Sequence, residues 1–317
     1  MKEITNTVLQ SIAAKTSRRR ALRNLGLGTL GLATLGKFAS MTDAQEVAAD
    51  RKSRPIHLTK KDIDTLNFAL NLEYLEAQFY SYATTGAGID AQGVGLDGLG
   101  TQGVVTVRAN SQVPFATPAL QQYAREIAAD ELAHVNFLRT VLGQHAVAQP
   151  DIDLLNSFPA AATAAGIANG QAFDPFADEI SFLLGAFIFE DVGVTAYHGA
   201  APLVVNKTVL SAAAGILGTE AYHAATVRTK IFEAGADAQD AAQKISDLRD
   251  SLDGDDDDDQ GVAANGVANI VPTDPNGLVF ARTVAQVLAI VYFAPGATSG
   301  GFFPSGVNVP EKPRRNR

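Results

Sequence analysis

Glu131-Leu132-Ala133-His134 and Glu220-Ala221-Tyr222-His223 are two copies of one pattern, Glu-x-x-His, and each lies inside a long stretch of helical periodicity. Positions three apart share a helix face, so each copy points a carboxylate and an imidazole the same way. The neighbours give the direction. Leu120, Ala124, Ile127, Glu131, His134, Leu138 and Val141 form one stripe; Leu210, Ala213, Leu217, Glu220, His223, Val227 and Ile231 form another. Both stripes are apolar except at the Glu and His. A charged group facing a core must be paired or bind metal, because an unpaired buried charge is too costly.

Two more acids sit in apolar rows. A capping box, Thr59-Lys60-Lys61-Asp62, predicts a first helix over 60–84, with Ile63, Leu66, Leu70, Glu73, Ala77 and Tyr80 on one stripe. Glu76 is a rival to Glu73, since Ala69, Leu72, Phe79 and Ala83 form a second stripe beside it. A helix predicted from Asp174-Pro175 to Ala200 puts Leu183, Phe187, Glu190, Val194 and Tyr197 on its inner face. These rows offer Glu131, His134, Glu190, Glu220 and His223, with Glu73 or its rival Glu76, as candidate metal ligands. Six such groups converging without a cation would carry a large desolvation cost.

In this order of Glu, Glu-x-x-His, Glu, Glu-x-x-His the chain resembles the ferritin-like superfamily, whose di-iron and di-manganese bundles draw their ligands that way. Within it, the chain is most similar to the desiccation-related ferritin-like proteins of bacteria and plants. That narrower resemblance is carried by Asn71-Leu-Glu-Tyr-Leu-Glu-Ala-Gln-Phe-Tyr80, by Phe189-Glu-Asp-Val-Gly-Val-Thr-Ala-Tyr-His198 and by Gly300-Gly-Phe-Phe-Pro304. The resemblance covers most of the chain, from Ile56 to Pro304. It implies an all-α fold: a ferritin-like four-helix bundle with a binuclear metal site. It favours Glu73 over Glu76, since such proteins often place a Tyr seven residues after the first-helix Glu and Tyr80 fits. By family role Glu131 and Glu220 would bridge two metals. Glu73 with His134 would complete one and Glu190 with His223 the other, or the reverse.

Four carboxylates and two neutral imidazoles carry four negative charges, which two divalent cations balance. Oxygen donors with imidazole favour two iron or manganese ions, and zinc tolerates them. Such a pair can act on oxygen, peroxide or ferrous ion. Asp130, Asp191, Tyr80, Tyr197 and Tyr222 are candidates to orient the ligands. His198 is rotated off the Glu190 stripe, and His57 and His145 fall at element ends.

Composition narrows the chemistry. The chain has no Cys, which excludes disulfides, thiolate metal sites and cysteine nucleophiles. Hydrophobic residues make up 46% of 317 residues, ample for a core. The formal charge is −9, yet residues 1–44 hold seven Lys or Arg against two acids, so the rest carries −14. A body that acidic is a poor nucleic-acid binder.

Ser17-Arg18-Arg19-Arg20-Ala21-Leu22-Arg23 precedes an apolar stretch, Leu25 to Gly36, too short to span a bilayer and suited to a signal segment. It resembles a twin-arginine export signal, with Ala21 where Phe is usual and a cleavage site after Ala44. The alternatives are an uncleaved anchor or a basic tail. The expectation is export of a folded, metal-loaded protein by the twin-arginine machinery to the periplasm or beyond.

The remaining boundaries follow from turn and cap signals. Residues 86–103 read as a Gly/Asp-rich loop, 104–107 as a short strand, and Thr117-Pro118 opens a helix ended by Gly143. Residues 144–173 read as irregular. Asn206 caps a helix ending at Gly235, and 238–252 is a further short helix. The acidic run Asp255 to Asp259 reads as a solvated loop, and Thr273-Asp-Pro275 opens a fifth, C-terminal helix to Phe293. The organisation expected is a signal (1–44), a ferritin-like helical domain (57–294) and a tail (295–317). The functional expectation is an exported di-metal carboxylate protein of oxidative or desiccation stress, possible homo-oligomerisation included. A structural protein stabilised by its metals and an iron store are the alternatives; long loops argue sterically against a closed cage.

Overall fold

Thr59 opens the first long helix, α1 (Lys60–Thr85), through the expected capping box: its hydroxyl accepts from the Asp62 amide, and the Asp62 carboxylate accepts the Thr59 amide. The structure, a computed structural model, describes residues 56–167, 169–254 and 258–310. The export signal read at 1–44, most of the acidic run (255–257) and the terminal arginines lie outside the described residues.

Three more long helices follow. Pro118 stands at the start of α2 (Pro118–Leu142), where its missing amide costs nothing, and Gly143 ends it at φ 55°. Asp178 caps α4 (Glu179–Ala200) by accepting from Ile180 and Ser181. Asn206 caps α5 (Lys207–Glu233) the same way at Thr208 and Val209. Between α2 and α4 lies a short helix, α3 (Ser157–Ala164); after α5 come α6 (Ala236–Asp253) and α7 (Val284–Tyr292). The fold is all-α. Its only ladders among the described residues are two-residue pairs: β1 (Val105–Thr106) runs parallel to β2 (Ile152–Asp153), and β3 (Ala263–Ala264) antiparallel to β4 (Val267–Ala268).

In the bundle α1 packs along α2, and α4 along α5. The two pairs meet through α1 and α4, while the α2–α5 seam is sparsely filled. α4 is long and apolar enough to cross a membrane by composition, but most of that stretch is buried inside the protein. A helix apolar on every face is one packed on every side. Phe79 on α1 anchors the aromatic core, touching Phe158 of α3, Phe176, Phe182 and Phe189.

Buried polar residues on α1 stitch the long connections to the bundle. Asn67 donates to the His145 carbonyl and accepts the Val147 amide; Asn71 exchanges two hydrogen bonds with the backbone of Asn308. Phe302 and Phe303, in the stretch read as a tail, are fully buried, and Phe302 packs on Phe158 and Phe189.

Four local expectations are corrected. α4 starts at Glu179, because Asp174 accepts the Phe176 amide in a turn and pairs with Arg108. The fifth helix starts at Val284, because Asp274 likewise accepts from Asn276 and Leu278 in a turn. The irregular stretch 144–173 contains α3. Asp259 is not solvated: it is buried and receives Ser246, Arg249 and Arg282. Those two arginines, with Arg228, also hold Asp191 and Asp253, a buried charge network that ties α6 and the C-terminal segment to the outer side of α4 and α5.

Candidate metal centre

All six candidate ligands converge. Each is buried, and together they occupy the middle of the bundle, with Glu73 from α1, Glu131 and His134 from α2, Glu190 from α4, and Glu220 and His223 from α5. The reason is local. Each acid sits on its helix's apolar stripe, so burying the stripe carries the acid inward. On α5 the fully buried positions are Val209 and Ile216 rather than Leu210 and Leu217, a small rotation that leaves Glu220 and His223 facing in.

Glu73, Glu131, His134 and Glu220 form one ligand set; Glu131, Glu190 and His223 form a second. His134 Nδ1 lies 3.2 Å from Glu73, 3.3 Å from Glu131 and 3.3 Å from Glu220. His223 Nδ1 lies 2.9 Å from Glu131 and 3.6 Å from Glu190. The imidazole centroids are 6.4 Å apart. Glu131 thus stands between the two histidines.

Glu76, the rival to Glu73 in the sequence, is here as well. It makes a third set with Glu190 and Glu220. Periodicity could not separate the two acids because α1 is buried nearly all round, so both stripes face protein.

Two tyrosines brace the carboxylates. Tyr80 on α1 donates its hydroxyl to Glu190 on α4, and Tyr197 on α4 donates to Glu73 on α1. Burial and the neighbouring carboxylates hold both phenols well above their ordinary range, so they stay donors. Of the other orienting candidates, Asp130 faces His223 Nε2 at 3.5 Å. Asp191 turns away to Arg228, and Tyr222 is 79% exposed, so neither orients a ligand. His198 faces the Phe280 carbonyl.

The electrostatics are those of a crowd of acids. Burial, with the other carboxylates adding and His134 opposing, raises Glu73 to about 8. Glu76 and Glu190 are pushed well above the carboxylate range, chiefly by burial. Burial works against Glu131 too, but the two imidazoles outweigh it and hold that acid low. Burial would lower His223; Glu190, Asp130 and Glu131 outweigh it and raise it to about 11.

Hydrogen bonding leaves the centre incomplete. Glu73 Oε2, Glu76 Oε2, Glu131 Oε1, Glu190 Oε2, both Glu220 oxygens and His223 Nδ1 make no hydrogen bond among the described residues. Buried polar atoms are nearly always satisfied, so a set of orphaned oxygens and one ring nitrogen aimed at each other fits cations between them. A groove of about 680 Å³ in the α2–α5 seam, lined by Tyr123, Glu126, Asp130, Tyr222 and Thr226, reaches His223 from solvent.

Comparison with known proteins agrees with this geometry. The ferritin-like domain family matches residues 61–233. The chain is 31% identical over 256 residues to the desiccation-related protein PCC13-62 of Craterostigma plantagineum, covering 73% of this chain and 77% of that one. It is 25% identical over 264 residues to the ferritin-like catalase Nec2 of Nesocodon mauritianus, covering 78% and 83%. No solved structure matches it.

Proposed function

The chain belongs to the ferritin-like domain family, and from that premise we propose that it holds two iron or manganese ions and disproportionates hydrogen peroxide. The observation that carries the proposal is the convergence of orphaned carboxylate oxygens and two imidazoles in a buried, solvent-linked centre. Glu73 and His134 would hold one ion, Glu190 and His223 the other, and Glu131 and Glu220 would be shared. Such a pair would supply two-electron exchange, by which one peroxide is reduced to two waters and a second is oxidised to oxygen.

The chain's own residues supply the rest. Tyr80 and Tyr197 fix the orientation of the two terminal carboxylates. Asp130 faces the ring edge of His223 that points to the groove, where it sets the imidazole's orientation. The apolar walls from α1 and α4 exclude bulk water, and the groove admits a molecule the size of peroxide.

Elemental analysis of protein from its native host, followed by a peroxide-consumption assay, tests the proposal. About two ions per chain with turnover supports it. The similarity to a protein described as desiccation-related favours a second reading, a bundle that its metals only stabilise. Bound metal that raises the melting temperature without turnover would select that reading.

We further infer export to the periplasm or beyond through the twin-arginine machinery, which Ser17-Arg18-Arg19 and the apolar Leu25 to Gly36 support. Cell fractionation tests it: Arg18→Lys with Arg19→Lys should hold the chain in the cytoplasm.

A further inference from the structure

The centre has a local two-fold pattern. On α1 a Glu is followed seven residues on by a Tyr, Glu73 and Tyr80; on α4 the same spacing gives Glu190 and Tyr197. Each Tyr bonds the Glu of the other helix. Glu131/His134 and Glu220/His223 repeat the pattern on α2 and α5. The correspondence breaks three residues after the Glu: α1 has Glu76, and α4 has Gly193.

That break is built into the packing. A Cβ on Gly193 would lie 2.6 Å from Glu220 Oε2 and 3.5 Å from Glu76 Oε1. A bare backbone at Gly193 is what leaves room for the two carboxylates. Glu76 is only 6% exposed, and its Oε2 makes no hydrogen bond among the described residues. One oxygen from each of Glu76, Glu190 and Glu220 falls within 4.8 Å of the others, and this set contains no imidazole. Three buried carboxylates meeting with no cationic side chain in the set are a donor group for a metal ion.

We propose that Glu76 is a seventh metal ligand, joining the ion held by Glu190 and His223 on the side where Glu190 and Glu220 meet, so that the two ends of the centre bind unequally. With Glu131 and Glu220 shared, each end would have four protein ligands; Glu76 groups with Glu190 and Glu220 and not with Glu73 or His134, so it would give the Glu190 and His223 end alone a fifth. The inference rests on the di-metal reading above.

The test is anaerobic calorimetric titration of the full chain with Mn(II) alone, comparing wild type, Glu76→Gln and Glu76→Asp. Gln keeps the volume and removes the anionic donor. The expected result is two ions with unequal affinities in the wild type, one of them weakened at least about tenfold by Glu76→Gln and the other nearly unchanged. Glu76→Asp should recover part of the loss. The metal-free Glu76→Gln protein should melt no lower than wild type, since one acid has left a crowd of acids, and this shows that it folds. Superimposable wild-type and Glu76→Gln titrations, or an equal weakening of both ions, would overturn the proposal while leaving the di-metal reading in place. A wild-type chain that takes up no Mn(II) or Fe(II) would overturn both. Gly193→Ala gives an independent arm: its methyl must displace Glu220 Oε2, so it should also weaken binding.

Discussion

Tyr197 on α4 donates its hydroxyl to Glu73 on α1, while Tyr80, seven residues beyond Glu73, reciprocates to Glu190 on α4. Each bond crosses between helices and fixes a carboxylate that otherwise has only other acids and an imidazole around it. Removing either hydroxyl leaves a buried carboxylate free to rotate. Tyr80→Phe and Tyr197→Phe should therefore each lower metal affinity by about 10- to 100-fold, and by similar amounts because the two positions correspond. Metal titration monitored by melting temperature reads this; variants that bind as the wild type does would count against the bracing role.

The metal-free protein should lose stability as pH rises. Glu73 has an ordinary value of 4.5 and is raised to about 8 in the fold, first by burial. Between those values the folded chain holds a proton that the unfolded chain has released, so stability falls with rising pH and levels off above about 8 for this group. His223, raised from 6.5 to about 11 by Glu190, Asp130 and Glu131 against burial, extends the same sign to higher pH. Each such proton gives a slope of about 1.4 kcal/mol per pH unit. Bound cations replace these protons, so the loaded protein should show a flatter profile. A melting series from pH 5 to pH 9, with and without Mn(II), checks both halves.

Asp259→Ala should destabilise the fold far from the centre. Asp259 accepts Ser246 at 2.7 Å, Arg249 at 2.6 Å and Arg282 at 2.9 Å, all buried. Its loss leaves Arg249 with Asp191 and Arg282 with Asp253, a buried network short of one negative charge, at a cost of about 3–5 kcal/mol. Urea unfolding measures it, and a loss below about 1 kcal/mol would show that water or Asp253 takes over the pairing.

The Glu-x-x-His stripes were legible because a helix of period 3.6 puts both groups of each copy on one apolar face, and burial of that face follows. Glu190 was legible for the same reason, whereas Glu73 was preferred to Glu76 on the family resemblance. Glu76 was seen but not placed, since a helix buried on all sides has no polar face against which to read direction. Asp259 was misread because its charge partners, Arg249 and Arg282, are 10 and 23 residues away and come together only in the fold. The Asp-Pro signals at 174 and 274 marked real turns, but the same residues cap turns and helices alike, so both helix starts were placed early. The burial of Phe302 depends on a hydrophobic slot formed by Phe158, Phe189 and Phe293, which no local pattern announces.

The α2–α5 groove makes the last prediction. Thr226 lines it and is half-buried, on the helix that carries His223 but on the turn beyond it. A Trp there fills part of the groove without removing a ligand. Under the proposed peroxide reaction, Thr226→Trp should therefore keep its metal content while kcat/KM for peroxide falls by about tenfold or more, because entry slows and the centre itself is unchanged. Steady-state kinetics with elemental analysis on the same sample separates the two effects. Unchanged kcat/KM would mean that the substrate reaches the centre by another side of the bundle, and lost metal would mean that the groove wall positions His223.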